Sequence, residues 1–398
     1  MRSAFLHPLI PILGLALALA ALTPGCQVSR ALKQPIPASA PLGVADERTE
    51  RIGQVVRQTM RRQGIPGISL AVIEHREVLW AQGFGWRDVQ RRLAVDTNTR
   101  FQAGSISKPV TALAVLGLSA AGKVDLDADV NRYLKGWRLD SNFPANPVTL
   151  RELLCHRAGT VPHGFAGFGE SKPAPSLLDV LSRHYFLNGP VKVKDAPGSR
   201  FRYSGGGYCV VQKTVEDVTG ESFDLAMSRV LLQPLGMTRS HFHQPPSPNE
   251  TENTARGYGW IKSLVYRGRW GVFPQKAAAG LWTTPADLAR LIIAVQKANA
   301  GENAGPISTP VARQFLKAQF DPMMGLGVFL DQKDDYHGFF HGGFNPGYFS
   351  RFGAGVSNGR AWVIMSNGQR DRFDPILKAV FQEFGPIWEP PPAPRPGS

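Results

Sequence analysis

Between residues 46 and 63 the apolar positions recur at helical spacing, with Ile52, Val55, Val56 and Met60 on one face and Gly64 ending the run. The period then changes. Residues 67–74, with the β-branched Ile68, Val72 and Ile73, and residues 77–86, where Val78, Trp80 and Phe84 alternate, predict the two strands of a hairpin. An apolar run from Pro109 to Ala121 predicts the next helix, with Ser105 at its head. From about 125 to 263 the pattern becomes short helices joined by long Pro and Gly loops, the best at 150–154, 176–186, 207–218 and 222–232. This stretch reads as a helical insertion. A helix at 285–297 follows, then strands at 325–330, 347–354 and 360–365, the last two turning at Asn358-Gly359. Asp374 as cap and Pro375 as first helical residue open a closing helix. Strands at both ends predict one antiparallel sheet completed by the C-terminal third and flanked by helices, an α/β (α+β) fold. The groove between sheet and insertion is the expected site.

Composition narrows the class. With 43% hydrophobic and 19% charged residues, 398 residues suffice for a large core and exclude a disordered chain. The net charge is +14, yet the basic residues are scattered, Arg61-Arg62 and Arg91-Arg92 being the densest pairs. This favours attraction to anionic envelope surfaces and no nucleic-acid partner. Residues 1–25 read as a secretion segment: Arg2 is followed by an apolar run from Leu9 to Leu22 that Pro11 interrupts and that is too short to span a membrane. Cys26 directly after Gly25 resembles a bacterial lipoprotein cleavage site, so lipidation at Cys26 and a periplasmic, membrane-anchored location are expected. Residues 26–44 then serve as tether, 45–385 as the domain, and 386–398 as a Pro-rich disordered tail. Cys155 and Cys209 are expected as buried thiols, with one disulfide as the alternative. His241-Phe242-His243, in a polar loop, reads as two surface histidines and not as a metal cluster.

The chemistry centres on Ser105-Ile106-Ser107-Lys108, which sets a hydroxyl and an amine one helical turn apart. Serine needs a base to become a nucleophile, and a lysine fixed at that spacing can supply one. Two further features follow. Tyr203 precedes the Gly205-Gly206-Gly207 turn, and His341-Gly342-Gly343-Phe344 lies on or beside a strand before the final hairpin.

In this order the three motifs resemble the active site of the serine β-lactamase and penicillin-binding protein family, in its class C β-lactamase-like branch with family VIII carboxylesterases and D-aminopeptidases. The resemblance extends to residues 99–127, to Leu150-Arg151-Glu152-Leu153-Leu154-Cys155-His156-Arg157-Ala158-Gly159, to Gln233-Pro234-Leu235-Gly236-Met237, to 279–289 and to 338–368. It implies a β-lactamase/transpeptidase-like fold over roughly 46–384. It also implies roles: Ser105 as nucleophile, Lys108 and Tyr203 sharing base duty, and backbone N–H groups of Ser105 and Phe344 as the oxyanion hole. His341 stands where many relatives carry the lysine of Lys-Thr-Gly, and would orient substrate or assist proton transfer. Gly205, Gly342 and Gly343 would line the substrate groove. Gly205 departs from the family's Tyr-x-Asn motif, which weakens the expectation of β-lactam recognition.

A competing motif, Gly355-Val356-Ser357-Asn358-Gly359, lacks a following histidine and falls in a hairpin turn, so an α/β-hydrolase is rejected. The expected function is an exported serine hydrolase acting through an acyl-serine on a small ester, a D-amino-acid peptide or a β-lactam. An esterase or D-peptidase is favoured over a β-lactamase proper or a noncatalytic envelope protein. No cofactor is implied, and oligomeric state is not legible.

Overall fold

A computed structural model of the chain describes residues 24–170, 173–184, 189–261, 264–320, 322–333, 336–368 and 372–385. Residues 1–23 of the expected secretion segment, the end of the helix expected at 176–186, and the tail from 386 lie outside them. Helix α1 spans Pro24–Leu32 and strand β1 Leu42–Gly43; α2 (Glu47–Gln63) precedes the hairpin β2 (Gly67–Glu74) and β3 (Glu77–Asp88). Then come α3 (Ser107–Ala120), α4 (Leu150–Leu154), α5 (Gly205–Thr219) and α6 (Pro285–Asn299). Strands β4 (Phe329–Lys333), β5 (Tyr336–Asn345), β6 (Tyr348–Gly355) and β7 (Ala361–Ser366) precede α7 (Asp374–Phe384). The main sheet runs β1-β3-β2-β7-β6-β5-β4, with every neighbouring pair antiparallel. It is completed by the C-terminal third, as the hydrophobic pattern predicts.

The sheet divides the interior into two cores. On β7, Trp362 and Ile364 join Ile52, Val56 and Met60 of α2 and Ile376, Leu377 and Val380 of α7. Ala361, Val363 and Met365 point the other way, into a larger core with α3, α5 and α6. Alternation of successive side chains across a strand produces this split, and a strand covered on both faces reads as an unbroken apolar run. Each large side chain buried this way contributes about 1.5–3 kcal/mol. Helix α2 begins at Asp46, whose carboxylate accepts from Thr49 N at 3.1 Å, and ends at Gly64 in the left-handed region.

Several expectations change. Residues 26–44 are not a free tether: Val28, Leu32 and Ile36, four apart, are buried, and Leu42 pairs with Ala81. Ser39 N and Val44 N donate to Gly83 O and Leu79 O, both at 2.9 Å, so this segment covers the otherwise open edge of β3. The strand expected at 325–330 starts only at Phe329, because Gly325 N donates to Val328 O and Gly327 takes φ +84° in a turn. At the end of the stretch expected to be helical, Gly257–Ile261 is a strand that pairs antiparallel with Leu264–Arg269 just beyond it. A helix at Thr309–Leu316 had no counterpart in the pattern reading. Asp374 is the first residue of α7 and not its cap, which is Phe373; the carboxylate still sits in the first turn, where the helix dipole favours it. No helix among the described residues is long and apolar enough to cross a membrane.

Candidate active site

Ser105 sits on a 3-10 turn, Gly104–Ile106, that runs directly into α3. Helix α3 is apolar on nearly every side and buried almost throughout, so the turn is held from behind. Ser107 locks it further: its Oγ donates to Gly104 O at 2.7 Å and accepts from Leu281 N at 3.0 Å. Gly104 has φ +53°, and a Cβ there would lie 2.6 Å from Phe344 N, so β5 presses directly on the nucleophile turn.

Lys108 lies one turn along, 2% exposed, and its Nζ donates to Ser105 Oγ at 3.0 Å and to Ala278 O at 2.9 Å. Nζ also lies over the rings of Tyr203 (4.8 Å) and Tyr208 (5.6 Å). Among the described residues no carboxylate pairs with it. Tyr203, just before α5, stacks on His156 at 4.2 Å, on His163 at 5.0 Å and, nearly parallel, on Phe329 at 6.4 Å.

His341 on β5 is 2% exposed, and its Nδ1 lies 2.7 Å from Gly342 O. A carbonyl only accepts, so Nδ1 carries the proton and Nε2 the lone pair. That Nε2 is buried with no partner among the described residues. Burial, reinforced by the Lys108 ammonium, pushes the His341 imidazolium down to about 3, so the ring is neutral. Burial and the same ammonium also hold His156 well below the usual histidine range.

The sequence reading gave His156 no role. Its φ is +60°, and this left-handed backbone aims the ring back so that Nδ1 accepts from Ser204 N at 3.1 Å. His156 therefore fixes both the plane of Tyr203 and the start of α5. Asn345 and Gln102 were also missed: Asn345 Nδ2 donates to Gln102 Oε1 (2.8 Å) and Ala279 O (3.0 Å), tying the end of β5 to segments beside Ser105 and Lys108. These contacts join residues far apart in the chain, which no local pattern encodes.

The three groove glycines separate. Gly342 is exposed, but Gly343 is buried: a Cβ there would fall 1.9 Å from Ala103 O, which also accepts from Ser350 Oγ at 2.7 Å. Gly205 is buried too, because a Cβ would meet Phe165 Cε2 at 3.0 Å and His163 O at 3.2 Å. Gly343 and Gly205 therefore permit close backbone packing. A cleft of about 390 Å³ opens beside Tyr203, bounded by Val161, His163, Arg200, Phe201 and Arg202. Arg200 and Arg202 are both engaged by Asp195. Phe344, 40% exposed, stacks on Phe349 at 4.9 Å at the end of β5.

Ser357 of the rejected motif is exposed in the turn between β6 and β7. Cys155 and Cys209 are free and buried, and burial pushes the Cys155 thiol up to about 12, which makes it unreactive.

A family model described as Beta-lactamase matches residues 52–382. Protein flp of Staphylococcus aureus is 23% identical over 242 residues, 61% of this chain and 46% of flp. Teichoic acid D-alanine hydrolase of the same organism is 24% identical over 265 residues, 66% of this chain and 62% of that protein. The chain thus matches less than two thirds of the length of either relative. The solved structure of a beta-lactamase/D-alanine carboxypeptidase from Yersinia pestis superposes with TM-score 0.65 at 20% identity, covering 85% of this chain and 98% of that one. A likeness that runs from α2 into α7 and takes in every element around Ser105 makes this chain a member of the Beta-lactamase family.

Proposed function

We propose that the chain is a serine hydrolase that moves an acyl group from an ester or amide onto Ser105 and then to water, with D-alanyl esters and amides as its preferred substrates. The carrying observation is the 3.0 Å contact of Lys108 Nζ, on a buried side chain, with the half-buried Ser105 Oγ. In the free-amine form Lys108 takes the hydroxyl proton while Oγ attacks the carbonyl carbon, and the developing oxyanion is met by the backbone N–H groups of Ser105 and Phe344. Collapse expels the alcohol or amine, which takes up the proton held by Lys108. Water, deprotonated by the same Lys108–Tyr203 pair, then releases the acid and returns Ser105. The neutral His341 offers an acceptor in place of a cation, which suits a substrate end bearing an N–H or a hydroxyl over one bearing a carboxylate. The name of the staphylococcal relative, a D-alanine hydrolase acting on teichoic acid, fits the same substrate class.

The test is incubation with a p-nitrophenyl acyl ester, a D-alanyl-D-alanine peptide and a fluorescent penicillin. Turnover of at least one is expected, falling by about 10³-fold or more in Ser105→Ala. Absence of both turnover and a Ser105 adduct with all three overturns the proposal.

We also propose export with a lipid on Cys26. The apolar segment before Cys26 and the net charge of +14 support an anionic membrane surface as the working location. Because Val28 is already packed on the domain, such a lipid would hold the domain against the membrane with little slack. Labelled palmitate should enter the wild type and not Cys26→Ala; equal labelling of both removes the idea.

A further inference from the structure

His241 and His243 are two apart on an extended segment, so both rings lie on the same side while Phe242 points inward. Phe242 is fully buried and packs edge-on against Phe223 at 5.1 Å, which anchors the segment. His241 is tied by its backbone on both sides, its N donating to Trp282 O at 3.0 Å and its O accepting from Trp282 N at 2.9 Å. The residue is 9% exposed, and neither Nδ1 nor Nε2 has a hydrogen-bond partner among the described residues. A buried imidazole left without any hydrogen bond is costly, and such a group calls for an occupant.

Glu250 faces it. This residue lies on the one-turn helix Pro248–Thr251, where Ser247 N donates to Oε2 at 2.7 Å and leaves Oε1 pointing at the histidines. Oε1 lies 2.5 Å from His243 Nδ1 and 3.7 Å from His241 Nδ1, and the donor atoms of the three residues all fall within 4.8 Å of one another. A tetrahedral zinc ion with bonds of 2.0–2.1 Å needs ligand atoms about 3.3 Å apart, within reach of a small rotation of the half-exposed His243. Outer contacts fix the carboxylate-bearing residue: Thr254 Oγ1 donates to Glu250 O at 2.6 Å and Arg100 to the same oxygen at 3.1 Å. The Arg100 guanidinium bonds that carbonyl and Arg239 O, so Oε1 is not spent on it.

We propose that His241, His243 and Glu250 form a site for one divalent transition-metal ion, Zn²⁺ by preference, with water completing the coordination. Two imidazoles and a carboxylate are the donor set that zinc accepts and that magnesium and calcium avoid. The ion staples the loop between His241 and Glu250 to the segment paired with Trp282. Trp282 pairs in turn with Gln102, three residues before Ser105, so the staple braces the strand that leads into the nucleophile turn. None of the three ligands contacts Ser105, Lys108 or Tyr203, and the site is independent of the acyl-transfer reading.

The experiment uses the untagged full chain, stripped with chelator and titrated with Zn²⁺ by calorimetry and with Co²⁺ by visible absorption. One equivalent should bind, Co²⁺ should give the intense bands of a tetrahedral N/O site, and the thermal midpoint should rise until one equivalent is reached. His243→Ala, at a half-exposed position, should weaken binding by more than about tenfold while leaving the metal-free midpoint near that of the wild type. Glu250→Gln should lose the Co²⁺ bands, and Ser105→Ala should bind as the wild type does. No stoichiometric binding by the wild type, or unchanged binding in His243→Ala, overturns the site.

Discussion

Gly343 decides how closely β5 can lie along the turn that carries Ser105. Its missing side chain allows Ala103 O to come within 1.9 Å of the place where a Cβ would be, and Ser350 Oγ, which donates to that carbonyl, within 2.5 Å of it. Gly343→Ala must therefore push the strand outward and carry Phe344 N away from Gly104. A misplacement of about 1 Å at a reacting centre costs on the order of 10²-fold, so kcat should fall by that amount while KM moves less. Gly342→Ala is the control: its Cβ would meet nothing closer than Arg351 Cγ at 3.8 Å, and ester turnover should stay within about twofold. Equal rates for the two variants would show that Phe344 N takes no part in the reaction.

At the scale of elements, the start of α5 explains why a family asparagine is replaced by glycine. Gly206 and Gly207 are pressed against Val161 O and Thr160 Oγ1, at 2.5 and 2.7 Å from where their Cβ atoms would sit, and Phe165 covers Gly205. Gly205→Asn should cost about 1–3 kcal/mol of stability by overpacking and should not create penicillin labelling. Adding Phe165→Ala should recover part of the lost thermal midpoint. An unshifted midpoint in the single variant would show that Phe165 is not the obstacle. This element also marks where pattern reading stops. Helix α2, the β2–β3 hairpin, α6 and the β6–β7 pair were legible because one period runs through each and caps or turns bound it. Ser105, Lys108, Tyr203 and His341 were legible as motifs, and the fold sets Ser105 and Tyr203 against Lys108, with Phe329 packed on both Tyr203 and His341. Strand β5 was only half visible, since Gly338, Gly342 and Gly343 remove the alternation that identifies a strand. The clamp of His156 on Tyr203 was not visible at all: it depends on one left-handed residue and on a hydrogen bond across 48 positions.

Over the whole molecule, desolvation of imidazoles links folding to pH. His156, His241 and His341 are all held below the unfolded histidine value of about 6.5, mainly by burial. Between that value and their folded values, the unfolded chain binds protons that the folded chain refuses. Their contribution to stability is complete above about pH 6.5 and declines as the pH falls, by up to about 1.4 kcal/mol per pH unit for each histidine. Glu152, Glu216 and Asp287 oppose this in part, since burial raises them and the folded chain takes up their protons first. Those carboxyls start from values near 4, so the histidines dominate the upper part of the window. The urea midpoint of the metal-free protein should therefore fall between pH 7.5 and 5.5, with net proton uptake on unfolding. His341→Asn, which keeps a polar group of similar size on β5, should remove close to one of those protons and flatten the curve. A stability that rises on acidification over this range would mean that these rings are charged in the folded protein, and that His341 presents a cation to substrate after all.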